Sequence, residues 1–288
     1  MDFTSWKCRC SSISKIMTNG RGSEPLTPKQ WETIKEIEGK IESGKATEKQ
    51  NLELARLVQK DRDSQKVTLG ETAESYLLEV YAWETVKKCS VNKELNVDFI
   101  QKGKMGEAEG LQLMSYCENY FYEKNKERIS NDFLSGEPDT FQGKSIMEAE
   151  IIPDIKIIWD FPGFLRKINK PAEPEYRAQL AGYADISGAK EAFVGNCLIN
   201  TPEPIRNDYK RKLFYKGEYT SEESPDFLAA WDPIERSMIF NDIPALMRFN
   251  KVPVEIFSST ERQQVYDRVK FCREWLNNFH EQYIKLNQ

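Results

Sequence analysis

The sequence predicts an α/β fold: a central mixed sheet of about four or five strands, flanked by helices and carrying a helical N-terminal insertion. Three observations predict it. Helix-start signals recur three times in the N-terminal third. Apolar runs of strand length appear only after residue 130. Helical patterning then alternates with them, and the order helices–strands–helix–strand–helix suits a sheet covered by helices. The chain has 288 residues, 39% hydrophobic and 30% charged, which fits a globular protein, read here as one domain over 1–288.

The elements follow in order. Thr27-Pro28-Lys29-Gln30 offers an N-cap, a proline at the first helical position and a glutamine that can close a capping box. Thr47-Glu48-Lys49-Gln50 and Thr68-Leu69-Gly70-Glu71 repeat the pattern. The first two helices are short and highly charged and break near Ser43-Gly44, so residues 27–62 read as a charged hairpin projecting from the core. A third helix is expected from Glu71 to Lys88, with Ala73, Tyr76, Leu77, Val80 and Tyr81 at helical spacing. A fourth is expected from Gly103 to about Tyr122, with Met105, Leu111, Leu113, Met114, Tyr116 and Phe121 as its apolar residues.

The texture then changes. Phe133 to Asp139 reads as strand and turn, and Ile146 to Trp159 ends in the strand-like run Ile155-Lys156-Ile157-Ile158-Trp159. Glu175 to Ala184 is helical, and Ala192 to Ile199 reads as a buried strand closed by Thr201-Pro202. A polar stretch covers Lys216 to Pro225, a short strand spans Val252 to Phe257, and a last helix starts near Thr260.

Composition excludes several chemistries. No apolar run approaches the ~20 residues of a membrane helix, so no membrane partner is expected. Residues 1–7 lack the layout of a signal peptide, and the chain reads as cytoplasmic. Of the cysteines at 8, 10, 89, 117, 197 and 272, only Cys8 and Cys10 are close, and no second pair matches them, so free thiols are expected. His280 is the only histidine, which leaves carboxylates and lysines to carry any catalysis. Net charge is −5, yet cations cluster at Lys7/Arg9/Lys15, Lys102/Lys104, Arg166/Lys167/Lys170 and Lys210/Arg211/Lys212. Such patches can hold phosphates while carboxylates elsewhere hold a metal, or can be solvated faces.

The informative stretch is Gly136-Glu137-Pro138-Asp139, followed after fourteen residues by Asp154-Ile155-Lys156. On a strand, residues i and i+2 share a face, so Asp154 and Lys156 stand side by side with Ile155 turned to the core. Asp139, placed at the end of a neighbouring strand, brings a second carboxylate. Two carboxylates and a carbonyl make the hard oxygen set that Mg²⁺ prefers. Lys156 can orient a water or stabilise negative charge on a phosphodiester. Upstream stands Gly103-Lys104-Met105-Gly106-Glu107. Downstream, Gln179 and Tyr183 share a helix face at i and i+4.

In this order the four pieces resemble the PD-(D/E)XK nucleases of the RecB-like and lambda-exonuclease-like branch, the YqaJ-type phage exonucleases included. That pattern is a helical glutamate after a glycine, then G-x-P-D, (D/E)-x-K and Q-x-x-x-Y. The match covers 103–202, and Leu198 to Pro202 is similar to the strand end that follows the motif helix in phage exonucleases. The opening Arg9 to Met17 is also similar to the start of some of them.

The resemblance implies a restriction-endonuclease-like core and a metal-dependent deoxyribonuclease. Asp139, Asp154, the Ile155 carbonyl and Glu107 would hold Mg²⁺, with Mn²⁺ able to substitute. Lys156 would be the catalytic lysine, and Gln179 and Tyr183 would brace the site or touch the DNA backbone. Arg9 and Ser12 would hold a 5′-phosphate, although a helix cap at Ser11 or Ser12 explains the same residues. Trp159 or Phe161 could contact a base or simply pack in the core. The one-plus-three cysteine spacing of the iron–sulfur members is missing, so no iron–sulfur cluster is expected. The implied activity is an exonuclease acting on DNA ends in recombination or DNA processing. The implied partners are DNA, a recombinase or single-strand-binding protein, and copies of the chain in a homo-oligomer. The alternatives are an endonuclease of the same fold and a non-catalytic nuclease-fold DNA-binding protein.

Overall fold

The structure is a computed structural model that describes residues 1–20, 25–64, 68–88 and 98–286. Cys89 lies outside the described residues. In chain order, β1 (Cys8–Arg9) leads through a 3₁₀ turn into the short α1 (Ile13–Ile16). Three helices follow: α2 (Pro28–Glu42), α3 (Glu48–Ser64) and α4 (Glu71–Val86). Next come α5 (Asp98–Glu118), β2 (Ile129–Ser130), β3 (Leu134–Gly136), β4 (Gln142–Gly143) and β5 (Ala149–Ile157). The crossover helices α6 (Phe161–Leu165) and α7 (Pro174–Ser187) lead to β6 (Glu191–Cys197). The chain finishes with α8 (Glu203–Lys216), α9 (Pro225–Arg236), β7 (Phe249–Val254) and α10 (Ser259–Leu286).

Where the sequence suggests one domain, the structure has two compact units. One comprises Met1–Thr4, Ser14–Ser90 and Arg268–Gln288, and the other Ser5–Ile13 and Val91–Asp267. In the first, α2 and α3 form the expected hairpin. Thr27 and Gln30 cap each other's backbone, Thr47 and Gln50 do the same, and Gly44 takes the turn with φ +67°. The pair has its own small core of Leu26, Ile34, Leu57 and Leu54. Elsewhere in this unit, the Tyr81 hydroxyl and His280 Nδ1 share a 2.9 Å hydrogen bond, which gives the only histidine a packing role. The third capping box does not form: the N-cap of α4 is Gly70, which has no side chain to accept a bond, and the Thr68 hydroxyl accepts from the Gly20 N–H instead.

The second unit holds the mixed sheet, in the order β4-β5-β6-β7. Strands β5 and β6 run parallel from Ile151↔Glu191 to Ile157↔Cys197, with antiparallel partners on both sides. A parallel pair requires a crossover, and α6 and α7 supply it. A second sheet, β1-β3-β2, is three-stranded. Helices α5 and α7 lie on opposite faces of β5. Ile155 packs in a cluster with Leu113, Met114, Phe193 and Cys197, while Lys156 meets Tyr176 of α7.

Several sequence expectations shift. Helix α5 begins at Asp98 and ends at Glu118, and of the apolar residues expected on it Met105 and Tyr116 are exposed, as is Phe121 beyond its end. Its buried face is Lys102, Gly106, Gly110, Leu113 and Met114. The small residues decide this, because a Cβ on Gly106 would meet Ile199 Cδ1 at 2.1 Å and one on Gly110 would meet Ile157 Cδ1 at 2.4 Å. Hydrophobicity alone points to the wrong stripe when the contact is this close. The strand carrying Asp154 starts at Ala149 and ends at Ile157, earlier than its isoleucine pattern suggests, and β7 starts at Phe249. Helices α8 and α9 are additional to the sequence reading. Ser224 does cap α9 through the Phe227 N–H ahead of Pro225, a start signal present in the sequence.

Candidate active site

Asp154 and Lys156 project from the same face of β5, as period-two geometry requires. Lys156 Nζ stands 2.7 Å from Asp154 Oδ2 and 4.4 Å from the centroid of the Tyr176 ring. The Asp154 carboxylate is buried, with the Lys156 ammonium against its Oδ2. Burial pulls the Lys156 pKa down, but the charge of Asp154 and its hydrogen bond, with the charge of Asp139, outweigh burial and leave the pKa above the ordinary lysine value. At neutral pH the group is a cation.

Asp139 is not at the end of a strand neighbouring β5 in the main sheet. It lies in the turn between β3 and β4, two strands that belong to different sheets. This turn is tightly held. Asn125 Nδ2 donates to the Pro138 carbonyl at 2.9 Å, and the Asn125 N–H donates to the Asp139 carbonyl at 2.7 Å. The buried Thr140 hydroxyl donates to the Glu123 carbonyl at 2.6 Å. Burial, then the charge of Asp154, raises the Asp139 pKa from 3.8 to about 6, with Lys156 and the Ile155 N–H acting against the rise. The two carboxylates therefore feel each other strongly. The Ile155 N–H points to Asp139, and within a strand the N–H and C=O of one residue project to the same edge. Asp139, Asp154 and the Ile155 carbonyl thus converge.

Glu107 comes from α5, and its charge also raises the Asp139 pKa. Its Oε2, however, accepts from Lys124 Nζ at 2.8 Å. Among the described residues no three His, Cys, Asp or Glu side chains lie close enough together to hold a metal. The converging set is therefore two carboxylates and a carbonyl, with Glu107 held aside by a lysine. That set still suits a hard divalent cation: its donors are all oxygen, and one carboxylate is crowded by the other.

Gln179 and Tyr183 line the site from α7. Gln179 Nε2 donates to the Tyr183 hydroxyl at 3.2 Å, and Tyr183 is only 6% exposed. Its ring lies against Gly136, where an added Cβ would come within 2.2 Å of Tyr183 Cε1. The glycine of the G-x-P-D turn is thus required by a ring on the Q-x-x-x-Y helix. The N-terminal segment reaches the same wall. β1 pairs in parallel with β3, with Arg9 opposite Ser135, and Cys10 touches both the Gly136 and Gly182 positions. Arg9 is exposed and Ser12 is buried. The 3₁₀ turn that contains Ser11 and Ser12 has Arg9 as its N-cap, with no side-chain cap bond.

Of three further residues, Lys124 and Asn125 carry no sequence signal, and the sequence offers Lys102 only as part of a surface charge cluster with Lys104, which its burial rules out. Asn125 and Lys124 sit in a charged run, and their roles come from contacts across the fold. Lys102 is 1% exposed, donates to the Trp159 carbonyl at 2.8 Å, and lies 5.2 Å from the Phe240 ring. Burial lowers its pKa to about 8 against the pull of Glu109 and Asp160. It pins the turn just beyond β5.

No protein-family profile matches the chain, and no curated relative does. Solved structures do. A phage-related exonuclease from Haemophilus somnus 129PT aligns over 99% of this chain and 97% of its own, with 19% identity and a TM-score of 0.54. The alkaline exonuclease LHK-Exo from Laribacter hongkongensis aligns over 99% of this chain and 94% of its own, with 11% identity and a TM-score of 0.53. LHK-Exo in complex with dAMP aligns over 98% and 92%, with 12% identity and a TM-score of 0.50. The chain has the fold of these exonucleases.

Proposed function

We propose that the chain is a Mg²⁺-dependent deoxyribonuclease that hydrolyses phosphodiester bonds, acting as an exonuclease at DNA ends in recombination or DNA processing. The observation that carries this reading is that Asp139 lies close enough to Asp154 to feel its charge, beside a lysine held as a cation. The likeness in fold to phage-related and alkaline exonucleases supports action at ends, and a dAMP complex of that fold agrees with a nucleotide product.

Asp139, Asp154 and the Ile155 carbonyl would hold the metal, which when bound would acidify a water and neutralise charge on the phosphate. Lys156 places its protonated Nζ beside the same phosphate and stabilises the negative charge that develops on the phosphoryl oxygens. Asp154 orients that ammonium, and Tyr176 covers it on one side. Glu107 joins the site when Lys124 releases it to a phosphate, which offers the lysine a competing anion. Gln179 and Tyr183 hold the wall rigid, so the carboxylates do not have to reorganise. Arg9, exposed on β1 beside the wall, is placed to anchor a terminal phosphate, with Ser12 behind it. A recombinase or single-strand-binding partner and a homo-oligomer belong to the same reading.

The test is digestion of 5′-phosphorylated linear duplex DNA beside closed circular DNA, in Mg²⁺ or in EDTA, with Lys156→Ala in parallel. Loss of linear DNA alone, dependent on both Mg²⁺ and Lys156, is the expected result. Nicking of the circle would replace the exonuclease by an endonuclease. Binding without cleavage of either would overturn the enzyme in favour of a DNA-binding protein of this fold.

A further inference from the structure

The strand that carries Lys156 leads directly into a groove of about 750 Å³, lined by Ile157, Ile158 and Trp159 together with residues of α5, α6 and α8. A second cavity of about 540 Å³ shares Trp159, Asp160 and Tyr209 with it. The rings of Trp159 and Tyr209, 6.3 Å apart and tilted by 43°, therefore stand between the two spaces. Phe99 adds a third ring on the same wall, 58% exposed.

The charges in the groove divide into satisfied and unsatisfied groups. Lys167 pairs with Glu173, Asp160 caps α6 through the Gly163 N–H, and Asp98 hydrogen-bonds Tyr209. Each acid is thus occupied. Arg166 and Lys170 are exposed and have no ion-pair partner among the described residues. Trp159 does not drift, because Lys102 holds its carbonyl from beneath. Fixed rings interleaved with unpaired cations make a surface for nucleic acid. Aromatic faces stack on bases only where the bases are out of a duplex, and the cations meet the backbone phosphates between them.

We infer that this groove binds an unpaired segment of a DNA strand next to the reactive centre, with bases stacked on Trp159, Tyr209 and Phe99 and phosphates on Arg166 and Lys170. The inference rests on the nuclease reading for the identity of the nucleic acid, and it assigns that site a single-stranded substrate segment. The strand threading Lys156 enters or leaves as a single strand. A continuous duplex would present no base faces to the rings.

The experiment measures binding of a fluorescein-labelled oligothymidylate to the full chain in EDTA, where no cleavage occurs. Arg166→Glu combined with Lys170→Glu should weaken binding more than tenfold and flatten its dependence on salt by roughly one to two counterions. Phe99→Ala combined with Tyr209→Ala should weaken it by about tenfold or more and leave the salt dependence unchanged. The wild type should bind an abasic strand of the same length about tenfold more weakly, and the aromatic variant should not distinguish the two strands. The charge variant changes only exposed side chains, so it tests the groove even if the aromatic variant fails to fold. Wild-type binding by both variants, or equal binding of abasic and thymidylate strands, would overturn the inference. Since binding is read without metal, a chain that binds in this way but cleaves no DNA would overturn the nuclease reading alone. Mg²⁺-dependent cleavage with oligothymidylate binding unchanged in both variants would overturn the groove alone.

Discussion

At the residue scale the proposed chemistry rests on Asp139, whose ionisation burial and the neighbouring Asp154 make costlier and Lys156 makes easier. Removing the Lys156 ammonium with Lys156→Met should cut cleavage by about a hundred- to a thousandfold while DNA binding persists, measured as single-turnover rate against Kd. Asp139 makes a pH prediction. Its folded pKa of about 6 lies above its ordinary 3.8, so the folded chain holds the extra proton. The associated stability is complete below 3.8 and is lost as pH rises through about 6. A divalent cation competes for the same oxygens, so Mg²⁺ affinity should climb as pH passes about 6 and level off above it. In Asp139→Asn both the slope and most of the affinity should vanish, as read by metal titration at several pH values. Lys102 has the opposite sign. Its pKa is lowered from 10.5 to about 8, so the penalty for burying the cation is full below about 8 and disappears towards 10.5. Stability should therefore rise across that window in the wild type, and Lys102→Met should abolish that rise in denaturant titrations.

At the element scale the decisive contacts are close approaches. Gly136 admits the Tyr183 ring, so Gly136→Ala should cost about 1–3 kcal/mol and displace Asp139 as well, reducing activity beyond the loss of stability. Gly103 is the contrasting case. Nothing lies within 4 Å of a Cβ placed there, so Gly103→Ala should stabilise α5 by up to about 1 kcal/mol with activity kept. Thermal melts of the two variants check both statements. The glycine of the sequence motif that matters to α5 is thus not Gly103. Gly106 and Gly110 bring that helix onto β5 and β6, and Glu107 rides between them.

At the scale of the whole molecule, the charged hairpin α2–α3 is stabilised by its own caps and its own small core, apart from the unit that holds the candidate site. Deleting residues 27–62 should leave Mg²⁺-dependent cleavage in place. Light scattering on the same variant shows whether the hairpin sets the oligomeric state. Failure of the truncated chain to cleave, although folded by circular dichroism, would make the hairpin part of the reaction. With a net charge of −5, DNA bound as proposed would be held by local patches such as Arg166 and Lys170 rather than by the general field of the protein.

The sequence by itself determined the local features: the two capping boxes at Thr27 and Thr47, the strand face shared by Asp154 and Lys156, and the pairing of Gln179 with Tyr183 one helical turn on. Each depends on spacings of two to four residues, which backbone periodicity sets alone. The order of the motifs carried the nuclease-like core only through the resemblance to a known family that it supports. Only the tertiary structure decided that Asp139 reaches the site from a turn between two sheets, and that Lys124 holds Glu107. It also decided that the exposed stripe of α5 includes Met105 and Tyr116 while glycines face the sheet. Those outcomes depend on partners far away in the chain, and on steric room that no local pattern encodes. A buried lysine beneath Trp159 and two unpaired cations beside it belong to the same class. Their meaning lies in what the fold sets around them.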